Sequence, residues 1–144
     1  MQAEVARVLE GFADEPVAQW GVDGCLAPTP VLSIAGFARA VGRAVRTEPR
    51  LLAAARTAPW AIDEPDGENA VVIDETGALA KTGAGGVVVV ALETGDSVAV
   101  KVLDGDARPA PPVALAVLER AGLIPDGPAG GSDSQTVLEK ETLR

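Results

Sequence analysis

The chain is 144 residues long, the size of about one domain, with 47% apolar residues and a formal net charge of -9. That balance is globular rather than disordered, and it argues against nucleic acid and against anionic membrane surfaces, both of which need clustered Lys and Arg. There is no histidine and a single cysteine, Cys25, so histidine-based triads and an intramolecular disulfide are both excluded.

Aromatic residues make up only 3% of the chain, so the core has to be built from small aliphatic side chains. Val5, Val8, Leu9 and Phe12 recur at helical spacing and predict a short helix over 2–13. Val17 to Val22 reads as a short strand, followed by a glycine-hinged loop from Gly21 to Pro28, with Pro28 and Pro30 keeping the next stretch extended. Ser33 is a helix N-cap. The helix after it runs to about Arg46, with Ile34, Phe37, Ala38, Val41 and Val45 inward and Arg39, Arg43 and Arg46 outward. Thr47-Glu48-Pro49 opens a second helix, with Thr47 as its cap, ending before Pro59.

Trp60 to Asn69 reads as a solvated acidic loop, Ala70 to Ile73 as a strand and Asp74 to Gly77 as a turn. Leu79 to Gly86 leads into a strand over Val87–Leu92, which pairs across the Thr94-Gly95-Asp96 turn with a strand over Ser97–Leu103. Pro111 and Pro112 open a last helix, Val113 to Ala121, closed by Gly122. The expected fold is therefore α+β, helices packed on a small antiparallel sheet, over residues 1–124. Residues 125–144 read as a flexible Gly/Pro/Ser-rich tail in which 136–144 could form a weak helix. The N-terminus lacks a signal-peptide pattern and no apolar run is long enough to span a bilayer, so a cytoplasmic location is expected.

Three segments could carry chemistry. Cys25, beside Asp23, reads either as a small buried apolar side chain or as a soft metal ligand or nucleophile. Lys81-Thr82-Gly83, ahead of Ala84-Gly85-Gly86, either holds a positive charge over a pocket lined by backbone N–H groups or is a lysine on a tight bend. Lys101 and Asp104, with Asp106 and Arg108, either position a charged substrate group or form a structural turn with local ion pairs.

The order and wording of these segments resemble the C-terminal half of the bacterial asparaginase II family, rhizobial type. The stretches that carry the likeness are Gly21-Val-Asp-Gly-Cys-Leu-Ala-Pro28, Lys81-Thr-Gly-Ala-Gly-Gly-Val87 and Ala99-Val-Lys-Val-Leu-Asp-Gly-Asp106, within residues 3–123. The resemblance implies hydrolysis of the side-chain amide of L-asparagine, in a fold similar to serine β-lactamases and glutaminases. It implies Lys81 and Asp23 as catalytic-site residues, Lys101, Asp104 and Thr82 around the substrate, and Cys25 as one ligand of a zinc site.

The family's Ser-x-x-Lys and Cys-Ser-Gly-Lys motifs are absent from the sequence, and an acidic stretch from Trp60 to Asn69 replaces the family's Arg-containing segment. The zinc site is thus expected to be incomplete and the chain inactive alone. It would be an isolated domain, a truncated product or one piece of a split protein, with an N-terminal-half polypeptide or a second copy as its partner. The alternative expectation is a non-catalytic domain that binds a small ligand or a partner.

Overall fold

Val87–Ala91 (β4) is an unbroken apolar strand, and a strand of that kind needs cover on both faces. In the computed structural model, which describes residues 2–125, it has that cover. β4 is the middle strand of an antiparallel sheet between β3 (Leu79–Gly83) and β5 (Ser97–Lys101). Pairing Ala80 with Val90, and Val88 and Val90 with Val100 and Val98, puts all five on one face. There they pack with Val72 and Ile73 of α4 (Glu68–Thr76) and with Ala110, Ala114 and Leu118 of α5 (Ala110–Arg120). On the opposite face, Leu79 and Ala91 meet Val41 and Val45 of α2 (Ile34–Thr47) and Leu52 of α3 (Pro49–Thr57). The α+β expectation holds, and the buried apolar residues are all Ala, Val, Leu or Ile, as the scarcity of rings required.

α1 (Gln2–Ala13) lies against α2, and the contact is partly polar. A helix leaves its last carbonyls without partners. Arg43 Nη1 donates to the carbonyls of Gly11, at 3.0 Å, and Phe12, at 3.3 Å, while Arg39 Nη1 donates to that of Ala13. These arginines were expected to face solvent; instead they close the C-terminal end of α1. The start of α2 is tied to the same junction. Ser33 Oγ accepts the Gly36 N–H as an N-cap and donates to Glu15 Oε2, while Glu15 Oε1 accepts the Ser33 N–H.

The structure corrects the middle of the chain. Ala70–Ile73 is not a strand but the centre of α4: Val71 is exposed while Asn69, Ala70, Val72 and Ile73 are buried, a helical rather than an alternating pattern. Asp74 to Gly77 is that helix's last turn plus Gly77, whose positive φ of 66° stops it. A 3-10 turn, Pro59–Ala61, occupies part of the expected acidic loop. Leu79 to Gly83 is a strand rather than a lead-in. Thr47 does not cap α3: its hydroxyl donates back to the Arg43 carbonyl at 2.7 Å, ending α2, and Glu48 takes the cap position. The inward face of α2 is also rotated, so that Gly36, Ala40, Gly42 and Val45 are buried and Ile34 is exposed. The expected tail beyond Pro125, with its weak helix, lies outside the described residues.

β1 (Gln19–Val22) and β2 (Pro28–Val31) form a separate antiparallel hairpin, pairing Trp20 with Pro30 and Val22 with Pro28. Apart from the half-buried Pro30, every residue of both strands is exposed. No helix among the described residues is long and apolar enough to cross a membrane.

Candidate functional site

β3 is an edge strand, so one row of its main-chain groups has no neighbouring strand to bond. At Thr82 both of those groups are satisfied by side chains. The Thr82 N–H donates to Asn69 Oδ1 at 2.7 Å, and the Thr82 carbonyl accepts from Lys81 Nζ at 2.6 Å. Both groups of one residue point to the same side of the strand, so the Lys81 ammonium and the Asn69 amide meet at the free edge of β3.

Asn69 is the one buried polar residue among those described, 3% exposed. Its Nδ2 donates to Thr82 Oγ1 and to Asp63 Oδ2, both at 2.9 Å. Asp63 also accepts the main-chain N–H groups of Asn69, at 3.1 Å, and Glu64, at 2.9 Å. The Asn69 N–H above all, with the Glu64 N–H, the Asn69 amide and the Lys81 charge, holds the Asp63 carboxyl below its ordinary value of 3.8, against an opposing push from burial. Lys81, Thr82, Asn69 and Asp63 thus form one polar cluster where α4 meets β3.

Sequence reasoning marked Lys81 and Thr82 and missed Asp63 and Asn69, which it assigned to a solvated loop. The signal for Asn69 was the spacing Asn69, Val72, Ile73, Thr76, which is one face of a helix with a polar residue at its head. Thr82 keeps its hydroxyl on Asn69, on the sheet face that packs against α4.

The other marked residues lie elsewhere. Lys101 ends β5, and its ammonium donates to the carbonyls of Gly85 and Val102, tying the β3–β4 turn to the chain after β5. Gly86 packs so closely there that a Cβ would lie 3.0 Å from the Asp106 carbonyl oxygen. Asp104 Oδ1 accepts the Asp106 N–H at 2.9 Å, and Asp106 pairs with Arg108 at 2.7 Å. All of these contacts hold the turn.

Cys25 and Asp23 sit at the tip of the β1–β2 hairpin, in a different sheet from Lys81. Cys25 is exposed, which removes the reading of it as a buried apolar side chain. Asp23 Oδ1 accepts the N–H groups of Cys25, at 2.8 Å, and Ala27, at 2.9 Å. Asp23→Ala is expected to cost about 1 kcal/mol, confined to the hairpin. Hydrogen exchange should show faster exchange at 19–31 with little change in the sheet. Two clefts, one between α1 and α2 lined by Val8, Phe12 and Arg46, the other lined by Arg56, Trp60 and Asp74, contain none of the marked residues.

The family's zinc can be tested against the residues present. No group of three or more Cys, Asp or Glu side chains among the described residues is arranged to hold a metal ion, and one exposed thiol cannot fill a four-coordinate centre.

The family model described as L-asparaginase II matches residues 1–141. The chain belongs to the L-asparaginase II family. No curated protein matches it. The match takes in the Asp23-Gly24-Cys25 turn, the Lys81-Thr82-Gly83 strand and the Lys101-to-Asp106 turn together. In this L-asparaginase II chain only the second of these has a buried polar network behind it.

That network and the α1–α2 junction each carry a pH-sensitive carboxylate. A carboxyl held below its ordinary value when folded stabilises the fold above that value, and the contribution is lost as pH falls through the lowered one. Asp63 is one such group. Glu15 is another, lowered from 4.5 chiefly by the Ser33 hydroxyl and then by the Ser33 N–H. Thermal melts should therefore fall modestly as the pH drops below about 4, and the drop should be shallower in Glu15→Gln and in Asp63→Asn. An unchanged acid limb in both variants would exclude these carboxylates as its source.

Proposed function

We propose that the chain supplies the lysine-bearing part of an enzyme that hydrolyses the side-chain amide of L-asparagine to L-aspartate and ammonia. The observation that carries this reading is the place of Lys81: a cation on the free edge of a covered sheet, backed by a buried network, in a chain of the L-asparaginase II family. Negative charge gathers on the amide oxygen as a nucleophile adds to its carbon, and a fixed ammonium beside that oxygen stabilises the change. The C–N bond then breaks and nitrogen leaves as ammonia after taking up a proton. Water finally releases aspartate from the nucleophile.

The nucleophile is the missing part. Ser33 and Ser97 are the serines among the described residues, and both hydroxyls are engaged, Ser33 with Glu15 and Gly36 and Ser97 with the Ala38 carbonyl at 2.8 Å. Ser33 has no lysine three or four residues away, and Ser97, four residues before Lys101, lies with it in strand β5, where that spacing keeps the two side chains apart. We therefore expect no ammonia release above background from the chain with L-asparagine, and release once a family N-terminal-half polypeptide is supplied in trans. Lys81→Met should lower the complemented rate by about 100-fold or more. Ammonia release by the chain alone would overturn the divided-site reading.

A second reading, a non-catalytic partner-binding domain, has its own observation. Trp20 and Val22 share one face of the hairpin and are 48% and 69% exposed, with Leu26 at the turn 83% exposed. A two-stranded ribbon is marginal without something packed on it, and apolar groups gathered on one suit a covering polypeptide. Co-elution with the N-terminal half without ammonia release would favour this second reading.

A further inference from the structure

Proline has no N–H, so Pro28 and Pro30 can stand only in those pairs of the β1–β2 hairpin that exchange no hydrogen bonds. The Asp23 N–H, which donates to the Ala27 carbonyl at 3.1 Å, sets the same alternation. Gly21 and Thr29 are therefore a bonded pair. The N–H and carbonyl groups of Trp20 and Val22 point the other way, to the outer edge of β1. The two edges of the ribbon are unlike. That of β2 has proline at its outward positions and lacks their donors. That of β1 offers donors and acceptors on exposed residues, and no strand among the described residues lies beside it.

Proteins blunt such edges with charge or with proline. The outer strands of the larger sheet, β3 and β5, each carry a lysine, Lys81 and Lys101. Gln19-Trp20-Gly21-Val22 has neither device, and it is complementary to itself. Laid antiparallel to a second copy about a two-fold axis at Gly21, Trp20 falls opposite Val22 of the other chain. Each such pair exchanges both of its main-chain hydrogen bonds. Trp20 and Val22 share a face with Pro30 and Pro28, and an aromatic ring opposite a β-branched side chain is a favoured cross-strand pair. Gln19 meets Asp23 of the other chain, an amide donor beside a carboxylate, so no like charges are opposed. Two marginal ribbons become one four-stranded sheet, crossed on one face by the apolar row Pro30, Trp20, Val22, Pro28.

We propose that the outer edge of β1 is a self-association surface, through which two copies of the chain pair β1 to β1. The proposal stands apart from the reading of Lys81, which neither strand of the ribbon contains. Four residues a side bury less than the roughly 1,000 Å² of a stable dimer. The dimer is therefore a weak one, half-formed at roughly 0.1–1 mM chain. The net charge of -9 on each copy opposes it, so salt that screens this charge favours pairing.

The test is sedimentation equilibrium of the full chain from about 20 μM to about 2 mM in roughly 0.15 M salt, where a monomer–dimer equilibrium is expected. Val22→Lys and Val22→Pro should each weaken it about tenfold or more. Val22 is 69% exposed and bonds nothing across the ribbon, so neither exchange reaches the core. Leu103→Lys, which puts the same charge on a residue 95% exposed and outside the hairpin, should leave the equilibrium unchanged. Amide exchange read by NMR in the unaltered chain does not depend on any variant. The Trp20 and Val22 N–H groups should exchange about threefold more slowly at the high concentration than at the low one, with Val88 to Val90 unchanged. A chain that stays monomeric throughout overturns the proposal, and so does a dimer that survives both Val22 variants. Slowing of those two amides only when a family N-terminal-half polypeptide is added would give the edge a different occupant, and overturns it as well.

Discussion

Gly42→Ala is expected to lower stability by about 2 kcal/mol even though alanine is the better helix former. Gly42 lies in the buried face of α2, and a Cβ there would come within 2.2 Å of the Gly95 carbonyl oxygen and 2.6 Å of Ser97 Oγ. The first of these atoms is backbone, in a turn where Gly95 has φ of +94° and is itself packed against Arg46, so it cannot swing aside. α2 would have to lift off β5, stretching the Ser97 bond to the Ala38 carbonyl. Overpacking of this kind costs about 3 kcal/mol, against about 1 kcal/mol gained in helix propensity. The melting temperature should drop by roughly 8 °C. Gly11→Ala is the control: Gly11 is exposed in α1 with nothing within 4 Å of a new Cβ, so the same exchange should stabilise by up to about 1 kcal/mol. A Gly42→Ala protein as stable as the parent would mean that the helix–turn contact is looser than the structure shows.

Asn69→Ala is expected to cost about 3 kcal/mol. It removes three side-chain hydrogen bonds and leaves the half-buried Thr82 N–H and hydroxyl without their partner, at about 1–2 kcal/mol for each. Asp63 keeps its two main-chain donors, so its ionised form survives the change. Asn69→Asp separates hydrogen bonding from charge. It sets a second carboxylate against Asp63 where a donor stood at 2.9 Å, and two such groups cannot both ionise cheaply. Its destabilisation should be large at neutral pH and ease as the pH falls and one carboxyl takes a proton, more steeply than that of Asn69→Ala. Chemical denaturation of the two variants at pH 7 and pH 5 reads the difference. Parallel pH dependences would show that the carboxylate at 63 does not face position 69 in solution.

The candidate site was half legible. Lys81 and Thr82 stand out because a lysine before a glycine run and an apolar strand is uncommon, and the same words carry the family likeness. Asp63 and Asn69 do not, since Asp63-Glu64-Pro65-Asp66-Gly67-Glu68 has the composition of a solvated loop. What makes Asp63 different from its acidic neighbours is that Asn69 and Glu64 turn N–H groups toward it, a matter of chain direction. Asp23 is the converse case. Its sequence position beside Cys25 suggests chemistry, yet its oxygen holds the hairpin turn.

The sequence by itself determined the aliphatic make-up of the core and most of the element order. The valine run reads as a buried strand paired across the Thr94-Gly95-Asp96 turn, helices are expected around Val41 to Val45 and over Val113 to Ala121, and with few rings the core has to be aliphatic. Determined in the same way was the L-asparaginase II likeness, because it rests on local words. Only the tertiary structure decided that Ala70–Ile73 is helical. A four-residue apolar run fits either period, and burial on one side, with Gly77 stopping the chain, settles which is satisfied. It alone decided that Arg39 and Arg43 close α1, that Gly42 lets α2 approach β5, and that Asn69 holds the edge beside Lys81. Each of those is a bond or a contact between groups 13 to 59 residues apart in the chain, and local pattern carries no information about distances of that kind.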